Sequence, residues 1–162
     1  MLFRSPGRLK VILGDALQIA AHELGDAPRR ICANLPYNVA TPLLFGWLAH
    51  AAAFTTMILM FQKEVADRLV ASPRDPSYGR LSVATQWRTE ARRLFNITAR
   101  AFTPPPNVDS TVVELIPRSQ PLADANATDL ERVTAAAFGQ RDRKSTRLNS
   151  SHTDISRMPS SA

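Results

Sequence analysis

With only one cysteine, Cys32, this chain has no internal disulfide framework and no cysteine-rich zinc site. Its position within the apolar run Arg30-Ile31-Cys32-Ala33 predicts a small core residue. Histidine is also scarce: His22, His50 and His152 lie far apart without metal-ligand spacing, and no metal site is expected. The longest apolar stretch, residues 43–54, falls well short of the roughly 20 residues needed to cross a bilayer. The opening Met1-Leu2-Phe3-Arg4 is interrupted too soon to be a signal peptide, so no membrane partner and a cytoplasmic location are expected.

What is present describes an ordinary globular domain. The 162 residues are long enough for one proper core, with 44% hydrophobic and 21% charged residues. Twenty basic against 14 acidic residues give +6, compatible with phosphate neutralisation but not diagnostic of it. Strands are expected at 9–13, ended by Gly14-Asp15, and at 30–34, with a short helix at 16–24 between them, closed by Gly25. Pro42 suits the first turn of a helix carrying Leu43, Leu44, Trp47 and Leu48. The continuous run TTMILMF at 55–61 reads as a strand buried on both faces.

An amphipathic helix is expected at 63–71, with Val65, Leu69 and Val70 inward, and another at about 81–87. Segments 91–97 and 111–116 form an expected antiparallel pair. The rigid Phe102-Thr103-Pro104-Pro105-Pro106 loop between them cannot be a central strand. Thr128 to Glu131 reads as a capping box opening a last helix. This order is half of a doubly wound α/β sheet.

Asn34-Leu35-Pro36-Tyr37 is the most informative segment. It follows a strand, where open α/β sheets bind ligands. A carboxamide, a donor-free proline and a stacking ring suit the grip of a planar base by its exocyclic amine. The blocks GDAL (14–17), NLPYNVATPLL (34–44), FQKEVADRLVASPRDPSYGRLSV (61–83), AFTPPPNVDSTVVEL (101–115) and FGQR (138–141) occur in order. Together they resemble the small-subunit ribosomal RNA adenine-N6 dimethyltransferases, the kasugamycin-resistance family, over residues 9–141.

The resemblance implies a partial Rossmann-like class I methyltransferase sheet in residues 1–118. The start of a small helical C-terminal domain follows at 119–141. It implies S-adenosyl-L-methionine as cofactor and dimethylation of two adjacent adenosines in small-subunit RNA, with the RNA or pre-30S particle as partner and a monomeric enzyme. Carried over residue by residue, Asn34, Leu35, Pro36 and Tyr37 form the reaction site. Tyr37 and Phe102 hold the flipped adenine, and Asp15, Ala16 and Asn34 meet the cofactor. From the residues alone, Asp15 also reads as a helix cap, Phe102 as a loop anchor and Tyr37 as a core tyrosine. Two other readings stay open: a large-subunit RNA methyltransferase of the antibiotic-resistance type, and a non-catalytic RNA-binding assembly factor.

The family's glycine-rich cofactor loop and its ribose-binding acid have no counterpart in this sequence, which predicts a chain truncated at both ends and weak cofactor binding. Residues 142–152, DRKSTRLNSSH, fit the codons of a common sequencing adapter, as do 156–162. Segment 142–162 is therefore expected to be translated adapter, disordered. Without its four basic and two acidic residues the net charge falls from +6 to +4.

Overall fold

A computed structural model describes residues 9–149. Its centre is a four-stranded sheet built from β1 (Arg29–Asn34), β2 (Phe54–Gln62), β3 (Thr89–Ile97) and β4 (Ser110–Pro117). The spatial order is β1-β2-β4-β3. β1 and β2 run parallel, with Asn34 opposite Met60, while β4 is antiparallel to both of its neighbours. One edge of the sheet therefore collects Asn34, Gln62 and Ile97 at strand ends and Ser110 at a strand start.

The helices are α1 (Ala40–Ala49), α2 (Lys63–Val70), α3 (Arg80–Arg88) and α4 (Ala127–Asn149). α1 connects the two parallel strands, as a parallel pair requires. Its Leu43, Leu44 and Leu48 join Met57, Leu59 and Phe61 of β2 and Val113 and Leu115 of β4 in the core. α2 adds Ala66 and Leu69. The end of α2 is tied to α3 by polar contacts. Ser82 Oγ donates to the Arg68 carbonyl at 2.5 Å, and Gln86 Nε2 donates to the carbonyls of Leu69 and Ala71 at 2.9 and 2.8 Å.

Four expectations need correction. Residues 9–13 form no strand: Val11 and Leu13 are exposed, Leu13 completely. Strand propensity does not suffice where the backbone finds no neighbour to complete its hydrogen bonds. The helix expected at 16–24 shrinks to a single 3-10 turn, Ala21–Glu23, though Gly25 does turn the chain, at φ 63°. Cys32 is exposed rather than a core residue. It lies with Arg30 and Asn34 on the outward-alternating face of an edge strand, while Ile31 and Ala33 face inward. The last helix opens two residues early. Asn126, not Thr128, caps it, with its side-chain oxygen accepting from the Thr128 N–H at 2.8 Å.

β2 is covered on one face only: Met57, Leu59 and Phe61 are fully buried, whereas Ile58 and Met60 are half-buried. α4 continues past Arg141 to Asn149, across the boundary expected at 141/142, and the rest of the 142–162 segment lies outside the described residues.

Thr85 on α3 is fully buried, and its hydroxyl has no hydrogen-bond partner. Thr85→Val keeps the shape and removes an unsatisfied polar group, so it is expected to stabilise the fold by about 1 kcal/mol. Urea denaturation checks this; a loss of stability would show that the hydroxyl is satisfied in solution.

Candidate active site

Asn34 stands at the carboxyl end of β1, and the chain turns immediately into α1. The turn is built by Pro36, whose carbonyl accepts from the N–H groups of Val39 at 3.1 Å and Ala40 at 3.0 Å. Leu35 is buried and pins the segment to the core. Tyr37 is 41% exposed, so its ring is a surface wall rather than a core element. Its hydroxyl is hydrogen-bonded to that of Ser110 at 3.3 Å.

Across from this turn, the segment after β3 makes a 3-10 turn, Ala99–Ala101, and then the proline loop, with a cis peptide between Thr103 and Pro104. The two segments enclose an open pocket of about 400 Å³. Asn34, Leu35, Pro36 and Tyr37 line one side, Phe102, Thr103, Pro104 and Pro106 the other, with Met60 between them. The structure thus brings together all four residues of the Asn-Leu-Pro-Tyr segment with Phe102, 65 positions or more away in sequence. Met60 was missed by sequence reasoning. Its signal is the register that sets it beside Asn34, and register depends on pairing.

Asp15 and Ala16 do not line this pocket. The Asp15 carboxylate accepts from the Leu17 N–H at 2.9 Å, a local turn contact. Ala16 lines a smaller neighbouring pocket of about 280 Å³, beside Leu43, Trp47 and the stacked rings of His22 and His50. A larger pocket of about 500 Å³ lies between α1, α3 and α4, rimmed by Arg80, Arg88 and Glu131. It is mostly apolar, and neither the 34–37 segment nor Phe102 lines it. Site assignment therefore follows the convergent polar and aromatic groups rather than size.

Several charges on α2 and the sheet are paired. Lys63 pairs with Asp67 at 2.9 Å, and Arg93 also reaches Asp67. Arg92 pairs with Glu114, whose hydrogen bond raises the Arg92 pKa above its ordinary value. No group of three or more potential metal ligands occurs among the described residues. No helix among them is long and apolar enough to cross a membrane.

A family model described as ribosomal RNA adenine dimethylase matches residues 2–155. The chain belongs to that family. Among curated members, it is 65% identical over 136 residues to the ribosomal RNA small subunit methyltransferase A of Paramagnetospirillum magneticum, covering 84% of this chain and 48% of that protein. Against the protein of the same name from Rhodospirillum rubrum the identity is 67%, with 84% and 47% covered. The chain thus spans about half the length of the curated relatives it matches.

Solved structures similar to this dimethylase-family chain include the following two. The crystal structure of a dimethyladenosine transferase from Plasmodium falciparum gives a TM-score of 0.62 at 35% identity, over 69% of this chain and 39% of that one. The 23S rRNA methyltransferase ErmE gives 0.58 at 27%, over 78% and 48%. These likenesses establish the Rossmann-like methyltransferase fold, and the four-stranded sheet is this chain's part of it.

Proposed function

We propose that this chain carries the target-base half of an enzyme that dimethylates N6 of two adjacent adenosines in small-subunit ribosomal RNA. The observation that carries the reading is the meeting of Asn34, Leu35, Tyr37 and Phe102 on one pocket at the strand ends. S-adenosylmethionine, when bound, supplies the methyl group. Of the three residues that the resemblance assigns to it, Asn34 lines this pocket, whereas Asp15 and Ala16 lie outside it, and no glycine-rich loop is among them.

The adenine amine is a poor nucleophile because its lone pair is shared with the ring. The Asn34 side-chain oxygen and a main-chain carbonyl accept its two N–H groups, which favours a pyramidal nitrogen with a localised lone pair. Of the two carbonyls available, that of Pro36 is already taken by two helix N–H groups, so the Leu35 carbonyl fills the role. Positioning for direct attack then replaces the need for a strong base. A paired base cannot enter such a pocket, so the adenosine is flipped out of its stack and held between Tyr37 and Phe102.

Identities of 65% and 67% to small-subunit enzymes, against 27% to the large-subunit ErmE, favour the small subunit as substrate. The same reading assigns 1–118 to the catalytic domain, 119–141 to the start of a helical domain, and 142–162 to translated adapter. Sequencing of the source DNA across codon 141 tests the last assignment; genomic DNA that encodes the same tail overturns it.

The functional test is to incubate the full-length protein carrying this segment with small-subunit RNA particles and S-adenosylmethionine, then digest the RNA for mass spectrometry. Dimethyladenosine is expected; its absence with an active related enzyme run in parallel overturns the proposal. Tyr37→Ala is expected to weaken capture of the target base by about 1–3 kcal/mol through lost stacking. That loss is read as reduced kcat/KM for RNA, and an unchanged value would exclude Tyr37 as a stacking wall.

A further inference from the structure

We propose that Asp109, the residue before β4, and Ser110, its first residue, are positioning residues that hold both aromatic walls of the pocket. The role assigned to those walls rests on the adenine-methylating reading; the brace itself rests on geometry.

Ser110 is fully buried at the first position of β4, opposite Gln62 of β2 on one side and Ile97 of β3 on the other. Its hydroxyl meets the Tyr37 hydroxyl at 3.3 Å, so a half-exposed ring is anchored by its outer end to a rigid strand. A tyrosine on a turn otherwise rotates freely about its side-chain bonds on a short timescale. Asp109 acts on the other wall. Its carboxylate accepts from the Ala99 N–H at 2.9 Å, and the Ala99 carbonyl accepts from the Phe102 N–H at 3.2 Å. The Asp109 carbonyl also accepts from the Lys63 N–H at 2.9 Å, fixing this corner to the end of β2.

The alternative is that these contacts only stabilise the fold. The start of β4 is already secured without them, by its ladder bonds to β2 and β3 and by Thr111 Oγ1 donating to the Asn96 side-chain oxygen at 2.8 Å. The Tyr37 ring also adds little to the core at 41% exposure. What the Ser110 bond decides is the direction of the ring. Together the two residues set the gap between Tyr37 and Phe102, the gap into which a flipped base must fit.

Two measurements test this. The chain has only two tyrosines, Tyr37 and Tyr78, so ring-labelled tyrosine NMR gives two assignable sets of signals. Ser110→Ala is expected to shift and sharpen the Tyr37 ring signals, as a freed ring should, and to leave those of Tyr78 in place. Unchanged Tyr37 signals overturn the brace, whatever the protein's activity. In the full-length protein, Ser110→Ala and Tyr37→Phe are each expected to lower kcat about five- to tenfold, the loss of one orienting hydrogen bond, with KM for S-adenosylmethionine unchanged.

The double variant should lose no more than either single one, because both remove the same bond. Asp109→Ala should also lower kcat, and Asp109→Asn, which keeps an acceptor oxygen, should restore most of it. Independent, multiplying losses for Tyr37→Phe and Ser110→Ala, or a lowered Tm with kcat intact, reduce both residues to structural ones. If the NMR signals shift but the wild-type protein methylates no adenosine, the brace stands and the functional reading falls.

Discussion

Asn34→Ala in the full-length protein is expected to lower single-turnover methyl transfer by about two to three orders of magnitude, the cost of removing one preorganised polar group from a reacting centre. Asn34 ends β1 opposite Met60, so its side chain is carried by the sheet rather than by a mobile loop. On the proposed reading, alanine removes the oxygen that accepts from the adenine amine, and no other side-chain amide lines that side of the pocket to replace it. Leu35, Pro36 and Tyr37 offer main-chain carbonyls, a pyrrolidine ring and a phenol. RNA affinity should change by less than about twofold, because phosphate contacts elsewhere dominate it. Rapid-quench methylation and a filter-binding titration on the same samples separate the two effects. Activity within tenfold of wild type would show that Asn34 does not touch the reacting nitrogen.

The largest effect on stability is expected at Phe61. This ring is 1% exposed and sits on the covered face of β2, among Leu44, Leu69 and Val113 in the same core. Phe61→Ala is expected to cost about 3–5 kcal/mol, from lost burial and the cavity left behind. Domains are held by only about 5–15 kcal/mol, so a substantial unfolded population at 37 °C is a realistic outcome. Met60, its neighbour on the opposite face, is half-buried and lines the pocket, so Met60→Ala should cost less stability and show itself in RNA turnover instead. Urea unfolding of the two variants side by side checks the contrast. Equal losses would mean that both faces of β2 are covered in solution.

That contrast shows where the sequence was readable. The run TTMILMF announces a strand but cannot say that only one of its faces is covered, because both faces are apolar and coverage depends on what packs there. The helices at 40–49, 63–70 and 80–88 and the antiparallel pair β3 and β4 were legible from periodicity and proline placement. Residues 9–13 have the composition of a strand and form none, since a strand exists only with a partner. Cys32 was misplaced for a related reason. Alternation along an edge strand sends every second residue outward, and the sequence does not mark the edge.

By itself the sequence determined the chemistry on offer: a carboxamide, a donor-free proline, two aromatic rings and a rigid proline loop. Only the tertiary structure decided that Tyr37 and Phe102 face one pocket, that Met60 lies between them, and that the Pro36 carbonyl is spent on α1. It also decided that Ser110 and Asp109 reach both walls. The physical reason is that a side chain's identity is local, whereas its neighbours are set by strand order and register. In this chain the order β1-β2-β4-β3 carries residue 110 to within a hydrogen bond of residue 37.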